Sequence, residues 1–388
     1  MKNNVQVNFF TKPVNLYYML LGSTLALSIL GVIMVFSASS IHSLETKGST
    51  YAIVLRQLIF LIISIPMAWV LSRFTIERWK VIARSAVIVS LTLLILVQVL
   101  GKSVKGNHNW ISLGFVDVQP SEIVKFLLIL WAGYMLAKRE RAGMVKANVI
   151  ALIAPAFAVC ILLVLRGNDL GTASVIAFIL AGLLWVSGVG LGVFAGLIGI
   201  GFAGIAALIV TAPYRLLRLS VFLNPFAADQ YKNAGWQPAH SLLGFASGGL
   251  FGVGLGASRQ KWGNLAEAHT DFIFSVIGEE LGLFGTLSTL AILSILLFSI
   301  FRIALRAKDP MVRYVSSGVG CWIAIQIILN IGSALSVLPV VGVTLPLVSY
   351  GGSSLLATYM GIGFVIGAAR RDPEIFSELK KSEFSWLR

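Results

Sequence analysis

Residues 265–282 read LAEAHTDFIFSVIGEELG and place ionisable side chains at the start of a long apolar run. His269 and Asp271 stand at the edge of that run, and Glu279 and Glu280 lie within it. An ionised side chain in hydrocarbon costs at least roughly 2.5–3.5 kcal/mol on insertion scales, so these groups indicate function. The alternative for Asp271 is a helix N-terminal carboxylate, stabilised by free amides and the helix dipole. This stretch alone supports both interpretations equally.

The whole chain has the composition of an integral membrane protein. Of its 388 residues, 57% are apolar and 12% are charged, and the mean hydropathy is +0.89. Apolar runs long enough to span a bilayer as helices occur at residues 16–37, 52–72, 80–100, 119–137, 148–166, 171–188, 190–211, 270–301, 312–336 and 345–369. The predicted fold is an all-α polytopic bundle of about ten transmembrane helices. We interpret 16–369 as one transmembrane domain between tails at 1–15 and 370–388.

The basic residues predict the orientation of the bundle. When the ten spans are followed in order, most of the Lys and Arg residues fall in short segments on the side of the N-terminus. The positive-inside rule therefore places both termini in the cytoplasm. The large segment 212–269, between the seventh and eighth spans, is then extracytoplasmic. The formal net charge of +14 does not indicate nucleic-acid binding, because the basic residues are scattered between apolar runs.

Three further ionisable residues lie at outer ends of predicted spans. Glu122 and Lys125 are three residues apart on one helical face, with Pro120 in the first turn and Gln119 or Ser121 as a cap. The pair is either an ion pair that reaches the membrane interface or part of an outward-facing polar pocket. Asp169 is more typical of a helix cap than of a catalyst. For Glu279 and Glu280 we favour packing or capping roles.

Two stretches of irregular backbone are predicted on the same side. Residues 338–354, LPVVGVTLPLVSYGGSS, interrupt an apolar run with two prolines and paired glycines, which favours a re-entrant segment. Its Ser349, Tyr350 and Ser353 offer hydroxyls and amides to an anion. Residues 241–256 are dense in glycine, which permits tight turns and close backbone approach. The basic-aromatic stretch 214–226 is predicted to lie at the membrane interface.

These stretches together resemble the SEDS family (shape, elongation, division and sporulation), whose members polymerise the glycan of bacterial peptidoglycan. The resemblance rests on WI at 110–111, QPSEIVK at 119–125, DLGT at 169–172, YR at 214–215, NP at 224–225, GVGLG at 252–256, EAHTDFIF at 267–274, GEELG at 278–282 and LPLVSYGGS at 345–353. VFSASS at 35–40, GASRQKW at 256–262 and TLP at 344–346 favour the division-type members over the elongation type, and a sporulation paralogue would share them. PVVG at 339–342 departs from the family, which usually has a polar pair there.

The resemblance implies that Asp271 is the essential carboxylate of a lipid II polymerase. Transfer of a sugar from a lipid pyrophosphate needs a base for the acceptor hydroxyl and positive charge for the leaving group. We assign Asp271 as general base, with a ligand role to a divalent cation such as Mg²⁺ or Mn²⁺ as the alternative. Lys125 and Arg56 are candidates to hold the phosphates, and Glu122 and Asp169 to support them. His269 and Ser349 complete the candidate site, although a structural role is the simpler interpretation of His269.

The resemblance also implies partners and a location. The expected partners are lipid II, a class B penicillin-binding transpeptidase and other divisome proteins, in the bacterial cytoplasmic membrane at the division septum. A transporter that flips lipid II is the alternative function, because broken helices and intramembrane charges are typical of transporters as well. The acidic residues that gather towards one side of the membrane favour the enzyme.

Overall fold

The computed structural model describes residues 12–104, 106–112, 114, 117–143, 148–211, 221, 224–227 and 231–385. Its helices are α1 (Pro13–Lys47), α2 (Ala52–Ser72), α3 (Ile76–Leu100), α4 (Pro120–Arg141), α5 (Val149–Arg166), α6 (Leu170–Val186), α7 (Leu191–Thr211), α8 (Trp236–Gly248), α9 (Ile273–Arg306), α10 (Pro310–Ala334), α11 (Gly352–Arg370) and α12 (Pro373–Ser385). Three short strands, β1 (Lys102–Val104), β2 (Asn107–Ser112) and β3 (Asp117–Val118), pair in an antiparallel sheet in the order β1-β2-β3.

All ten predicted spans coincide with helices, namely α1 to α7 and α9 to α11. Eight of the helices in the described part of the chain are long and apolar enough to cross a membrane, and α6 is a shorter apolar helix. The spans predicted at 171–188 and 190–211 are separate helices, α6 and α7. The polytopic helical fold predicted from run length is therefore confirmed.

Helices α4, α10 and α11 form the centre of the bundle. In their most apolar stretches, 78%, 67% and 78% of the residues are buried, against 28% in each of α2, α3 and α5. The outer helices leave large apolar side chains exposed, such as Ile62 and Ile88, as a lipid-facing surface requires. The tightly packed centre therefore positions whatever polar groups α4 and α10 carry.

Ion pairs join the helix ends that the sequence assigned to the cytoplasm. Arg141 lies 2.6 Å from Asp309, Arg313 lies 2.6 Å from Glu140, and Arg306 lies 3.0 Å from Asp372. These pairs connect α4, α9, α10 and the α11–α12 turn. The inner end of α4, the α9–α10 connection and the α11–α12 turn therefore meet on one face of the molecule, as the positive-inside prediction requires.

Helix α9 is broken at Gly282, which has φ 67° and ψ −161°, a conformation that favours glycine. The amides of Leu283 and Phe284 donate to the carbonyls of Gly249 and Leu250 instead of to the preceding turn of α9. The carbonyls of Glu279 and Glu280 accept hydrogen bonds from the amides of residues 253 and 254. The glycine-rich segment thus satisfies four of the backbone groups beside the break. Its predicted close backbone approach is confirmed.

The break separates an outer half-helix, residues 273–281, from the membrane-spanning part of α9. From Arg302, near the inner end, to Gly282 the helix rises about 30 Å, the thickness of the hydrocarbon core. This length predicts that the half-helix lies at the level of the outer headgroups. Glu279 and Glu280 belong to it, so we expect them at the edge of the hydrocarbon and not in its middle.

Residues 335–351, between α10 and α11, form the predicted re-entrant segment. Leu345, Leu347 and Val348 are buried although their backbone is not helical. The segment lies against the middle of α1, where a Cβ on Gly31 would stand 2.6 Å from the carbonyl oxygen of Leu347. The span predicted at 345–369 is consequently helical only from Gly352. The first residues of the predicted span, 345–351, therefore line the interior of the bundle and are not part of a helix that crosses the membrane.

Two outcomes concern the loops. The antiparallel sheet at 102–118 was not predicted, and it closes the outer ends of α3 and α4. Most of the basic-aromatic stretch, including Tyr214, Arg215, Arg218 and Phe222, lies outside the described residues, so its placement at the interface stays a prediction. Phe226, which is described, exposes 48% of its surface.

Candidate active site

Asp271 lies in the turn directly before α9, at the outer end of the molecule. The N-cap residue of α9 is Phe272, so Asp271 precedes the capping position that the alternative interpretation required. Buried Asn330 of α10 donates one amide proton to the carbonyl of Asp271 at 2.8 Å and the other to Val343 at 2.7 Å. Gly342 adopts φ +72°, and a Cβ there would stand 3.5 Å from Asp271 Oδ2. The half-buried carboxylate of Asp271 therefore faces the re-entrant segment.

The residues before Asp271 run beside the re-entrant segment and are hydrogen-bonded to it. The amide of Tyr350 donates to the carbonyl of His269 at 2.9 Å, and Ser349 Oγ donates to the carbonyl of Thr270 at 2.5 Å. Ser349 Oγ also accepts from the amide of Leu345 at 2.9 Å. Since this hydroxyl fastens the segment, direct contact between Ser349 and a substrate stays a prediction.

His269 belongs to a group of rings at the outer surface. Its ring centroid lies 5.5 Å from that of exposed His42 and 5.7 Å from that of Tyr350. Arg56 of α2 is exposed, and its guanidinium lies near the hydroxyl of Tyr350. The guanidinium of Arg56 is thus a solvent-accessible cation beside the re-entrant segment, where an anionic group would be neutralised.

Gln57, the neighbour of Arg56, attaches α2 to the same segment. Its side-chain nitrogen donates to the carbonyl of Ser349 at 3.2 Å, and its oxygen accepts from the amide of Gly351 at 3.3 Å. Ser353 Oγ accepts from the amide of Gln119 at 3.0 Å. The amides and hydroxyls that the sequence offered to an anion are therefore largely used to hold the segment in place.

Glu122 and Lys125 form the predicted ion pair, with Lys125 Nζ at 2.8 Å from Glu122 Oε1. The pair does not reach the interface, because Glu122 is 7% and Lys125 1% exposed. Lys125 also lies over the ring of Trp322 on α10, 5.4 Å from its centroid. Glu122 Oε2 accepts no hydrogen bond from the described part of the protein. A buried carboxylate oxygen in this condition is available to a polar group of a ligand.

Asp169 is the N-cap of α6, as its position in the sequence indicated. Its carboxylate accepts from the amide of Thr172 at 2.8 Å, from Thr172 Oγ1 at 2.7 Å and from Gln119 Nε2 at 2.9 Å. Burial raises the pKa of Asp169, while the Thr172 hydrogen bonds and the charge of Lys125 lower it. Gln119, which was predicted to cap α4, makes no capping bond there and serves Asp169 instead.

The site is continuous from Asp169 to Asp271 through the backbone of the re-entrant segment. A Cβ on Gly171 would stand 2.3 Å from the carbonyl oxygen of Val341, and the next residue, Gly342, faces Asp271. Helices α4, α6 and α10 and the start of α9 thus present their polar groups at one end of the bundle. The structure brings the predicted residues into this outer region.

A divalent cation was the alternative role for Asp271. No group of three or more His, Cys, Asp or Glu side chains suited to a metal occurs among the residues that the structure describes. An ion at Asp271 would take most of its oxygen ligands from water and from substrate phosphates, an arrangement typical of Mg²⁺. Binding of Mg²⁺ or Mn²⁺ at Asp271 stays a prediction.

The sequence interpretation missed Asn330 and Gln57, which hold the site together. Both are amides within predicted spans, and an uncompensated amide in hydrocarbon is costly. This cost is the feature of the sequence that could have marked Asn330 and Gln57 as residues of the site. Their partners are separated from them along the chain by 13 to 294 residues, so spacing could not indicate which groups they bind.

The fold and the site together define a polytopic membrane protein with a polar centre at its outer end, built from a broken helix and a re-entrant segment. The FtsW, RodA and SpoVE family, described as cell cycle proteins, matches residues 17–373. The chain belongs to this family, which confirms the resemblance found in the sequence.

Two relatives named probable peptidoglycan glycosyltransferase FtsW show how close the match is. The protein of Coxiella burnetii is 41% identical over 353 residues, covering 89% of this chain and 94% of the relative. The protein of Mycobacterium tuberculosis is 35% identical over 373 residues, covering 95% and 70%.

Solved structures agree with the fold. A chain from the structure titled "Structural coordination of polymerization and crosslinking by a peptidoglycan synthase complex" matches with a TM-score of 0.75 and 28% identity, over 92% of this chain and 98% of that one. Thermus thermophilus rod shape determining protein RodA matches with a TM-score of 0.67 and 28% identity, over 91% and 96%.

Proposed function

We propose that this chain is a peptidoglycan glycosyltransferase that polymerises lipid II into glycan strands on the outer face of the cytoplasmic membrane. Relatives that match most of the chain carry that activity in their names. The observation that supports the mechanism is that the Asp271 carboxylate lies opposite Gly342 of the re-entrant segment, directly before the outer half-helix. Lipid II presents its sugars and pyrophosphate at the level of the outer headgroups, where the half-helix is predicted to lie.

In the proposed reaction, the 4-hydroxyl of the acceptor sugar attacks the anomeric carbon of the lipid-linked donor. Asp271 accepts the hydroxyl proton as the new carbon–oxygen bond forms. The bond between the anomeric carbon and the pyrophosphate breaks, and the pyrophosphate leaves on its lipid as an anion. A single displacement inverts the anomeric carbon.

The leaving pyrophosphate requires positive charge. Arg56 is the accessible cation beside Tyr350, so it is the better candidate to contact the phosphates. Lys125 is buried and paired with Glu122, and a direct contact with phosphate would require that pair to open. We assign Lys125, Glu122 and Asp169 supporting roles beneath the site.

The enzyme would act with partners at the division septum. Its division-type relatives and the complex named in the matched structure support a penicillin-binding transpeptidase of class B as the partner, together with other divisome proteins. A lipid II transporter is less well supported, because the polar groups gather at the outer end and the relatives are named as transferases.

The test is lipid II polymerisation in detergent by the purified protein with its cognate transpeptidase. We expect Asp271→Ala and Asp271→Asn to lower the rate by about 10²–10⁴-fold, the typical contribution of a general base. Glu45→Gln, which changes an exposed carboxylate at the end of α1, is the matched control and should leave the rate unchanged.

All variants must elute as folded protein and retain the transpeptidase. Full activity of both Asp271 variants would remove Asp271 as the base. Wild-type protein that moves lipid II across liposomes and makes no polymer would instead support the transporter.

A further inference from the structure

Three buried ionisable side chains, two on the half-helix 273–281 and one in the loop packed against it, are not used by the proposed reaction. Glu279 is 1%, Glu280 0% and Lys261 8% exposed. Burying charges is costly unless hydrogen bonds and opposite charges compensate. The contacts that provide this compensation show what the three residues hold.

Glu280 joins the half-helix to α1 and to the loop 256–261. Ser37 Oγ of α1 lies 2.6 Å and 2.8 Å from the two carboxylate oxygens of Glu280. Lys261 Nζ lies 3.5 Å from Glu280 Oε1, and the amide of Ser258 donates to the same oxygen at 3.3 Å. Lys261 also donates to the carbonyl of Gly256. Glu280 thus connects three separate parts of the chain.

Glu279 holds the adjacent turn by hydrogen bonds alone. Ser258 Oγ donates to Glu279 Oε2 at 2.5 Å, and the amides of Arg259 and Gln260 donate to the carboxylate at 2.9 Å and 3.4 Å. The loop 256–261 is therefore fixed to the half-helix through both carboxylates.

The half-helix needs this fixation because Gly282 interrupts the α9 backbone. Across a continuous helix, the membrane-spanning part would set the position of the outer turn. Here that position depends on lateral contacts, and Asp271 lies in the turn directly before the half-helix. A displacement of about 1 Å in a reacting group can cost about 10²-fold in rate.

We propose that Glu279 and Glu280 are positioning residues for the transfer reaction, forming with Lys261 and Ser37 a carboxylate clamp on the half-helix. The clamp holds the half-helix against α1 and the loop 256–261, and so sets the position of the Asp271 carboxylate. The inference rests on the proposed role of Asp271 as base. Neither glutamate touches the substrate in this scheme.

The clamp has a double-variant signature. Removing one member of a buried ion pair leaves the other charge uncompensated, whereas removing both is often tolerated. Glu280→Gln leaves the ammonium of Lys261 buried, and Lys261→Met leaves the carboxylate of Glu280 without its cation. The double variant Glu280→Gln/Lys261→Met keeps an acceptor for Ser37 and removes both charges of the pair.

Lipid II polymerisation kinetics of the complex with its transpeptidase test the clamp. We expect each single variant to lower kcat about tenfold or more, with KM within about threefold of wild type. The double variant should recover most of kcat. Asp271→Asn, measured in parallel, should show the larger loss of about 10²–10⁴-fold expected for the base.

A milder pair of variants keeps the test informative if a charge variant fails to fold. Ser37→Ala removes one contact of the clamp without burying a charge. Ser39→Ala, two residues along α1, removes a buried hydroxyl that has no hydrogen-bond partner in the described structure. We expect Ser37→Ala to lower kcat severalfold and Ser39→Ala to match wild type.

Three results would overturn the clamp. Wild-type kcat in Glu280→Gln and Ser37→Ala, with the expected loss in Asp271→Asn, would show that Asp271 needs no such positioning. A rise in KM at unchanged kcat would indicate substrate binding. Losses in kcat that follow thermal stability, without recovery in the double variant, would indicate a general structural role. An active Asp271→Asn would instead refute the proposed base.

Discussion

Asp169 shows how burial and capping act on a single carboxylate. In the folded protein burial raises its pKa above the ordinary value, although Thr172 hydrogen bonds oppose that change. The folded state therefore holds the proton more strongly than the unfolded state. As the pH rises from the unfolded pKa through the folded one, ionisation of Asp169 lowers the free energy of unfolding.

Asparagine at this position should keep the cap and remove the cost of ionisation. We expect Asp169→Asn to unfold at pH 7 at a temperature equal to or above that of wild type, with the difference shrinking below the unfolded pKa of Asp. Asp169→Ala loses the cap and should be destabilised by about 0.5–2 kcal/mol. Thermal unfolding in detergent across this pH range measures both, and a less stable Asp169→Asn at neutral pH would contradict the prediction.

What the sequence predicts at the residue scale depends on how far apart the partners are. Glu122 and Lys125 were paired correctly because a spacing of three residues fixes their relation on a helix. The sequence does not predict whether that pair is buried or reaches the membrane interface, since its burial depends on packing against α10. The sequence predicts no role for Lys261, because composition does not determine the path of the chain between Lys261 and its partner Glu280.

At the scale of elements, glycines allow α8 to approach the half-helix. A Cβ on Gly248, the last residue of α8, would stand 1.9 Å from the carbonyl oxygen of Gly278. That contact involves backbone and cannot be relieved by a side-chain rotation. Gly22, within α1, has nothing within 4 Å of its Cβ position.

Gly248→Ala should therefore separate α8 from α9 and destabilise the protein. We expect a loss of at least about 1–3 kcal/mol, the usual cost of forced overpacking. Gly22→Ala is the matched control, and its greater helix propensity predicts unchanged or slightly higher stability. Thermal unfolding of the two variants in the same detergent makes the comparison. Equal behaviour of both would mean that the α8 contact contributes nothing.

Element positions were predictable where length alone decides them. Apolar runs of membrane length located the ten helices α1 to α7 and α9 to α11, since hydrocarbon leaves helices as the workable form. The two prolines and paired glycines of 338–354 indicated the re-entrant segment, because non-helical backbone at membrane depth is tolerated only where it is buried or lines a cavity. The break at Gly282 was not predicted, because it is specified by hydrogen bonds to residues 249–254. The sheet at 102–118 was missed because its strands are only two to six residues long.

At the scale of the molecule, the two ends of the bundle differ in how charge is used. At the inner end, Arg and Lys meet acidic side chains in partly exposed ion pairs, as in Arg313–Glu140 and Arg306–Asp372. At the outer end, Asp169, Glu279 and Glu280 are buried and accept hydrogen bonds from backbone and hydroxyl groups. Partly exposed pairs contribute little to stability, so the inner basic residues serve chiefly to orient the protein.

That difference predicts opposite accessibility of two exposed alanines. Ala142 follows α4 at the inner end, and Ala266 lies in the outer segment before α9. In a background with Cys160→Ala and Cys321→Ala, we expect Ala266→Cys to react with a membrane-impermeant maleimide in intact spheroplasts. Ala142→Cys should react only after the membrane is permeabilised, since the positive-inside rule places it in the cytoplasm. Labelling of Ala142→Cys in intact spheroplasts would invert the topology and place Asp271 on the cytoplasmic side, away from growing glycan strands.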